Sequence, residues 1–435
     1  MKKIIKAVIA AGFIVCIFMI FKNAYSENNI NLKNDKLYGA IKYKGIKNAV
    51  DFTADNQGNF YIAYKDRIQF VDSKGKSYDV VKSKDLNIKS LDYKDEKLYF
   101  ISDSKVSAYD IVSKEQKVLL SNLPNYGDYK DSIIRVKGEE LYISIGAATN
   151  SGVVGSDNSW LKDNPFSYDI PAKDIVIRGK SFGNEKTGAF VPYRTKNASG
   201  QLISGHFPGN ASIIYYNIVN GGSDTYAWGI RNVNGMSFNS EGTLIATIGG
   251  IEDRGLRAVK GDVDYIYEIK KNHWYGWPDY SGGDPVTSPR FKGENNIRLS
   301  FILDNHPTTN PLAPIYTHKS LSSLGALDID AKGVLSERDS IYFYDTRDNR
   351  IYSITKAGVL SDEASFSAET RISSLRFVSN NLFALDYSQG ILYSISKNRL
   401  GEFAKLNKPV IYYLLAVILI GIVIGIFKFN ASKEK

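Results

Sequence analysis

The chain has 435 residues with a formal net charge of +9, from 55 basic and 46 acidic residues. Its excess Lys is scattered singly and forms no basic stripe with interleaved aromatics, which argues against a nucleic-acid partner. The single cysteine, Cys16, lies in an apolar N-terminal run. Disulfides, thiol nucleophiles and thiolate metal sites are therefore excluded from the rest of the chain.

In chain order, Met1-Lys2-Lys3 precedes an apolar run over 4–21, broken by Lys6 and followed by Lys22. Two readings of 1–26 stand. A signal peptide would have this basic start and could be cut after Ser26, whereas the length of the run suits an uncleaved membrane anchor. A lipidated Cys16 is disfavoured because Val15 stands where a small residue is expected.

From Asp51 onward, short alternating runs flank polar turns at 51–64, 90–102, 133–146, 235–250, 326–345 and 375–386. Each turn carries Gly, Asn or Asp, and each run has the period-two alternation of a strand, so six hairpins are expected. Further strands follow several of them, at 105–113, 349–356 and 390–397. Aromatics at 12%, with 29 Tyr against 3 Met, favour strands. No internal stretch has a convincing amphipathic helical pattern. Sheets recurring about every 40 to 50 residues predict an all-β, six-bladed propeller over 37–399, with a β-sandwich as the other architecture.

Two long segments, 147–212 and 251–314, interrupt the regular spacing. Loops of that length on a rigid ring are where binding surfaces usually sit. Near the C-terminus, 410–427 is an uncharged run of apolar residues and glycine, preceded by Lys405 and Lys408 and followed by Lys428. It reads as a transmembrane helix spanning about 409–428, and the lysines at both chain tips place the domain on the extracytoplasmic side of a cell membrane.

Three stretches carry a family likeness: ELYISIG at 140–146, YAWGIRNVNGMSF at 226–238 and NHWYGWPDYSGG at 272–283. Through them the chain resembles the glucose/sorbosone dehydrogenase family of propeller enzymes that use pyrroloquinoline quinone (PQQ). The resemblance implies oxidation of a sugar or other alcohol by hydride transfer to a quinone. It places Arg231 in the central cavity beside cofactor and substrate, as both a catalytic and a cofactor-binding residue, and Arg347 and Arg371 among the cofactor-binding positions. A guanidinium suits quinone carboxylates. The residues alone also allow Arg231 to tie loops to carbonyls and Arg347 and Arg371 to be surface residues.

Members of that family place a basic histidine shortly before the ELYISIG-type strand, whereas here the stretch reads NYGDYKDSIIRVKG at 125–138. The four histidines, His206, His273, His306 and His318, all lie elsewhere. Asp128 or Asp131 is the substitute base that the stretch offers, against the reading of a solvated loop aspartate. The family also binds calcium, which would implicate Glu252, Asp253, Asp262 and Asp264. Arg254, Arg257 and Lys260 intrude there and equally describe a charged loop. Trp274, Tyr275, Trp277 and Tyr280 are either a sugar-stacking platform or loop packing. The competing function is a propeller that has lost the chemistry and binds a carbohydrate, an envelope polymer or a protein partner.

Overall fold

The computed structural model describes residues 30–397. Both apolar terminal segments lie outside these residues. Among the described residues no helix is long and apolar enough to cross a membrane, and the helices are two short 3-10 turns, Ser159–Lys162 and Glu294–Asn296.

Six antiparallel sheets form the blades of a propeller, and each expected hairpin supplies the inner two strands of one blade. The inner strands are Asp51–Ala54, Ile88–Lys94, Ile134–Lys137, Val233–Phe238, Leu324–Asp330 and Ile372–Val378, opening blades 1 to 6. A type I′ geometry explains one of the turns. Asp95 and Glu96, between Lys94 and Lys97, both have positive φ, as such a turn requires.

The second strand of each blade is almost wholly apolar because neighbouring blades cover both of its faces. Leu141–Ile145, Leu244–Ile248 and Leu382–Leu385 are buried throughout. Outer strands face water on one side, and Ser77–Lys82 is mostly exposed. Apolar clusters lie between successive blades. Leu91, Leu98 and Phe100 pack against Tyr61 and Ile68 between blades 2 and 1, and Phe383, Leu385 and Leu392 against Phe52, Phe60 and Ile62 between blades 6 and 1.

The N-terminal strands close the ring. Tyr38–Lys44 pairs antiparallel with Ile391–Ser396 as the outer strand of blade 6. Ile30–Leu32, which precedes the expected start at 37, adds a fifth strand to blade 5 through Ala364–Phe366. Ring closure by chain-distant strands leaves only short outer edges.

Polar side chains from the inner strands meet in the channel. Arg376 donates to Asp92 Oδ1 at 3.0 Å and Asp51 Oδ2 at 3.3 Å. Arg135 lies 3.7 Å from Asp51, Thr53 donates to Asp92, and Ser237 to Asp328. Burial opposes the charge on Asp51, but Arg376, Arg135 and hydrogen bonds from Leu91 and Ser374 hold its carboxyl below the usual range. Burial wins at Asp328 and raises it.

The two long segments belong to blades 3 and 4. Residues 146–211 join the second and third strands of blade 3. In blade 4, 249–264 makes the same connection, and 270–315 leads from the third strand to the fourth. His273–Trp274 returns to pair in parallel with blade 3. The aromatic group Trp274, Tyr275, Trp277 and Tyr280 is buried in this packing, with Trp274 stacked on His306.

Candidate functional site at the channel mouth

Where the inner strands of blades 2 to 6 begin, two cavities of about 350 and 260 Å³ open side by side and share Tyr129, Asn232, Asn234 and Ser373. The first also reaches Arg231, Glu252 and Ser322, and the second Lys89, Asp128 and Asp131. Connections between blades and the turns after second strands converge here, so residues distant in the chain share one wall.

Arg231 is 3% exposed. Its guanidinium takes the room left by Gly249, where a side-chain carbon would sit 3.2 Å from Nη1. Nε donates to the Asn150 carbonyl at 3.2 Å and Nη2 to Asn150 Oδ1 at 3.0 Å. Nη2 also lies 3.3 Å from Glu252 and bonds the Tyr129 hydroxyl. Burial brings the Arg231 guanidinium down to about 10, opposed by Glu252. Arg231 thus lines the first cavity and ties neighbouring loops together.

Glu252 is bonded by Arg254 and accepts from Ser322 Oγ at 2.8 Å. Burial would raise its carboxyl, but Arg231, Arg254 and Ser322 hold it below the usual range. Arg254 also reaches Asp128 at 2.8 Å, Asp157 at 3.2 Å and the Tyr129 hydroxyl at 2.7 Å.

Tyr129 therefore stands between two guanidiniums. Arg231 lies over its ring at 4.1 Å and Arg254 at 5.8 Å, both donate to Oη, and the hydroxyl itself donates to Glu252 Oε2 at 3.1 Å. Gly146, the last residue of ELYISIG, lets this loop approach: a side-chain carbon there would fall 2.0 Å from the Tyr129 carbonyl oxygen.

Asp128 is occupied on both oxygens. Trp160 Nε1 and Asn158 Nδ2 each donate at 2.9 Å, and Arg254 pairs with it. Such a carboxylate anchors the 147–212 segment. Asp131 is exposed at the cavity edge and pairs with Lys89 at 2.8 Å. Arg371 is exposed on the rim beside the lining residues Ile372 and Ser373, and its Nη1 donates to the carbonyls of Ala368 and Thr370. Arg347 is exposed in the blade 5 turn next to the lining residue Thr346.

The four carboxylates considered for calcium do not converge. Asp262 accepts from Ile251 N, Val263 N and Tyr265 Oη, all within 2.8 Å. Asp264 accepts four backbone N–H groups, from Gly250, Ser322, Ser323 and Leu324. Asp253 is exposed and faces Lys260 at 3.9 Å, and Glu252 is committed to two guanidiniums. No group of three or more potential metal-ligating His, Cys, Asp or Glu occurs among the described residues. The residue set does not fit a resident calcium: a hard cation needs several free oxygens, and here N–H donors hold them.

Tyr129 is the site residue that reading the sequence missed. A tyrosine is ordinarily a weak acid ionising near 10, and its two guanidinium partners lie 102 and 125 residues away. The signal was its position, in the same short stretch where a base was sought.

No family model matches this chain, and no curated protein matches it. Its fold is that of solved propeller enzymes. The PQQ domain of pyranose dehydrogenase from Coprinopsis cinerea superposes with a TM-score of 0.57 at 12% identity, covering 84% of this chain and 97% of that one. A Trichoderma reesei carbohydrate-active enzyme of family AA12 gives 0.59 at 13%, covering 85% and 98%. A Thermus thermophilus oxidoreductase described as a glucose dehydrogenase gives 0.50 at 12%, covering 82% and 99%.

Proposed function

We propose that this propeller oxidises a sugar or related small alcohol at the channel mouth, with PQQ as the hydride acceptor. The observation that carries the reading is the pair of adjoining cavities, walled by Asn232, Asn234, Ser322 and Ser373 and bordered by cations. Amides and hydroxyls match a polyhydroxylated ligand. Arg231 beneath the mouth, Arg347 and Arg371 on its rim, and Lys89 in its wall are the groups that would hold quinone carboxylates. When bound, the quinone supplies the two-electron oxidant, and the chain's own residues orient the alcohol and receive its proton. The solved propellers of the same fold that are described as sugar dehydrogenases support this reading without carrying their substrates over to it.

A second reading rests on charge. Arg231 faces Glu252, Lys89 faces Asp131, and Arg371 is turned to carbonyls. A mouth neutralised in this way suits an uncharged carbohydrate, an envelope polymer or a protein partner bound without oxidation. We also propose that the segments 1–26 and 409–428 hold the domain at the outer face of the cell membrane, where the second class of partner is found.

Titration of the purified full chain with PQQ, followed by dye-linked oxidation of a panel of sugars, separates the two readings. Saturable absorbance changes with turnover support the enzyme. A folded sample that binds sugar calorimetrically, yet shows neither quinone binding nor turnover, establishes the binding module instead.

A further inference from the structure

We propose that Tyr129 binds ligand through its ring, as the platform on which one face of a pyranose lies. The inference rests on a carbohydrate ligand, which both readings above share, and not on oxidation.

Tyr129 is the one aromatic side chain in the walls of the two mouth cavities, and it lines both. The aromatic group that the sequence offered for sugar stacking, Trp274, Tyr275, Trp277 and Tyr280, is buried in loop packing and lines neither cavity. The Tyr129 hydroxyl is already spent: it donates to Glu252 Oε2 at 3.1 Å and accepts from Arg254 at 2.7 Å and from Arg231. The phenol is neutral and its one proton is committed. What Tyr129 has left for a ligand is ring carbon.

The ring is held in place before a ligand arrives. Three bonds fix Oη, Arg231 covers one face at 4.1 Å, and the ring packs against the apolar cluster that contains Ala147, Ile251 and Trp277. Arg231 is itself buried and bonded twice to Asn150. A tyrosine whose two torsions are already fixed loses little conformational freedom on binding.

The rest of the wall matches the other half of a sugar. Asn232, Asn234 and Ser373 border the same two cavities as Tyr129, with Ser322 in the first and Ser132 in the second. A pyranose carries both surfaces that such a wall pairs with: C–H bonds gathered on the faces of its ring, and hydroxyls around its edge. A wholly apolar ligand would leave the amides and hydroxyls unpaired. An open-chain polyol would supply the hydroxyls without the flat C–H face.

The test is calorimetric titration of the full-length chain, without quinone, using glucose and its open-chain counterpart sorbitol as probes. Wild type should bind glucose more tightly than sorbitol. Tyr129→Leu, which keeps an apolar side chain but no ring, should weaken glucose binding roughly tenfold and level the two probes. Tyr129→Phe, which restores the ring without the hydroxyl, should recover most of that loss. Glucose should also perturb the near-ultraviolet absorbance of one tyrosine in wild type and not in Tyr129→Phe, and this signal decides the question if Tyr129→Leu fails to fold. Any one of four results overturns the inference alone: equal wild-type affinity for both probes, a folded Tyr129→Leu chain that binds glucose like wild type, a Tyr129→Phe chain as weak as Tyr129→Leu, or glucose binding with no tyrosine signal. A wild type that binds neither probe overturns the carbohydrate reading on which it rests.

Discussion

The channel holds two arginine–carboxylate clusters, and they are built differently. In the channel interior, Arg376 and Arg135 meet Asp51, Asp92 and Asp328 on inner strands from five blades, and backbone N–H groups take up many of the remaining carboxylate oxygens. At the mouth, Arg231, Glu252, Arg254 and Tyr129 come from loops, and one side of the cluster borders open cavity. The first fastens blades that cannot share a continuous apolar core through an open axis. The second leaves Tyr129 in the wall of two open cavities. Similar side chains are enclosed where strands surround them and border open cavity where loops leave a face open.

The largest effect that sharpens this contrast is expected for Arg376→Met. Removing it leaves Asp51 and Asp92 buried beside a single remaining guanidinium, at a cost of about 3–5 kcal/mol, read as a lowered denaturant midpoint. Arg231→Met should cost less, roughly 1–3 kcal/mol, because Arg254 still neutralises Glu252, yet it should abolish quinone binding. A larger stability loss for Arg231→Met than for Arg376→Met would break the distinction.

Acidity gives two opposite slopes. The Asp51 and Glu252 carboxyls are held below their ordinary range, so their stabilisation is complete above about pH 4 and is lost as pH falls through their folded values. Asp169, bonded to Ala148 N and the Thr149 hydroxyl, is pushed up to about 7 by burial. It binds its proton more tightly in the folded state, so it costs stability as pH rises from about 4 to 7. Denaturant midpoints should therefore fall below pH 4 in the wild type, and Asp169→Asn should remove a decline between about pH 4 and 7. A wild-type curve unchanged by Asp169→Asn would show that the buried carboxylate adds nothing to the slope.

The smallest effect is expected on the rim. Arg347→Ala should leave stability within about 0.5 kcal/mol of wild type, as exposed substitutions usually do. It should weaken quinone binding roughly tenfold, the worth of about one charge-assisted hydrogen bond. Equal affinity by titration would remove Arg347 from the site.

Much of the fold was legible because its information is local. Turn residues such as Asp95-Glu96 and short apolar runs such as Leu98–Ile101 mark a hairpin without reference to the rest of the chain. The strand Ile30–Leu32 escaped notice because three residues carry too little pattern, and its partner lies at Ala364–Phe366. At the site, GIRN and ELYISIG were readable as motifs, and the structure gives them a physical basis: Gly249 makes room for Arg231 and Gly146 for the Tyr129 loop. The roles of Asp128, Asp262 and Asp264 were not readable, because an aspartate that accepts four N–H groups looks in sequence like one that could bind a cation.

By itself, then, the sequence determined the strands, their grouping into six units and the motif containing Arg231, since all of these depend on residues a few positions apart. Tertiary structure alone decided which carboxylates were already taken and which hydroxyl two guanidiniums reach. Those properties arise from groups that lie up to 125 residues apart in the chain, and they exist only once the chain has folded.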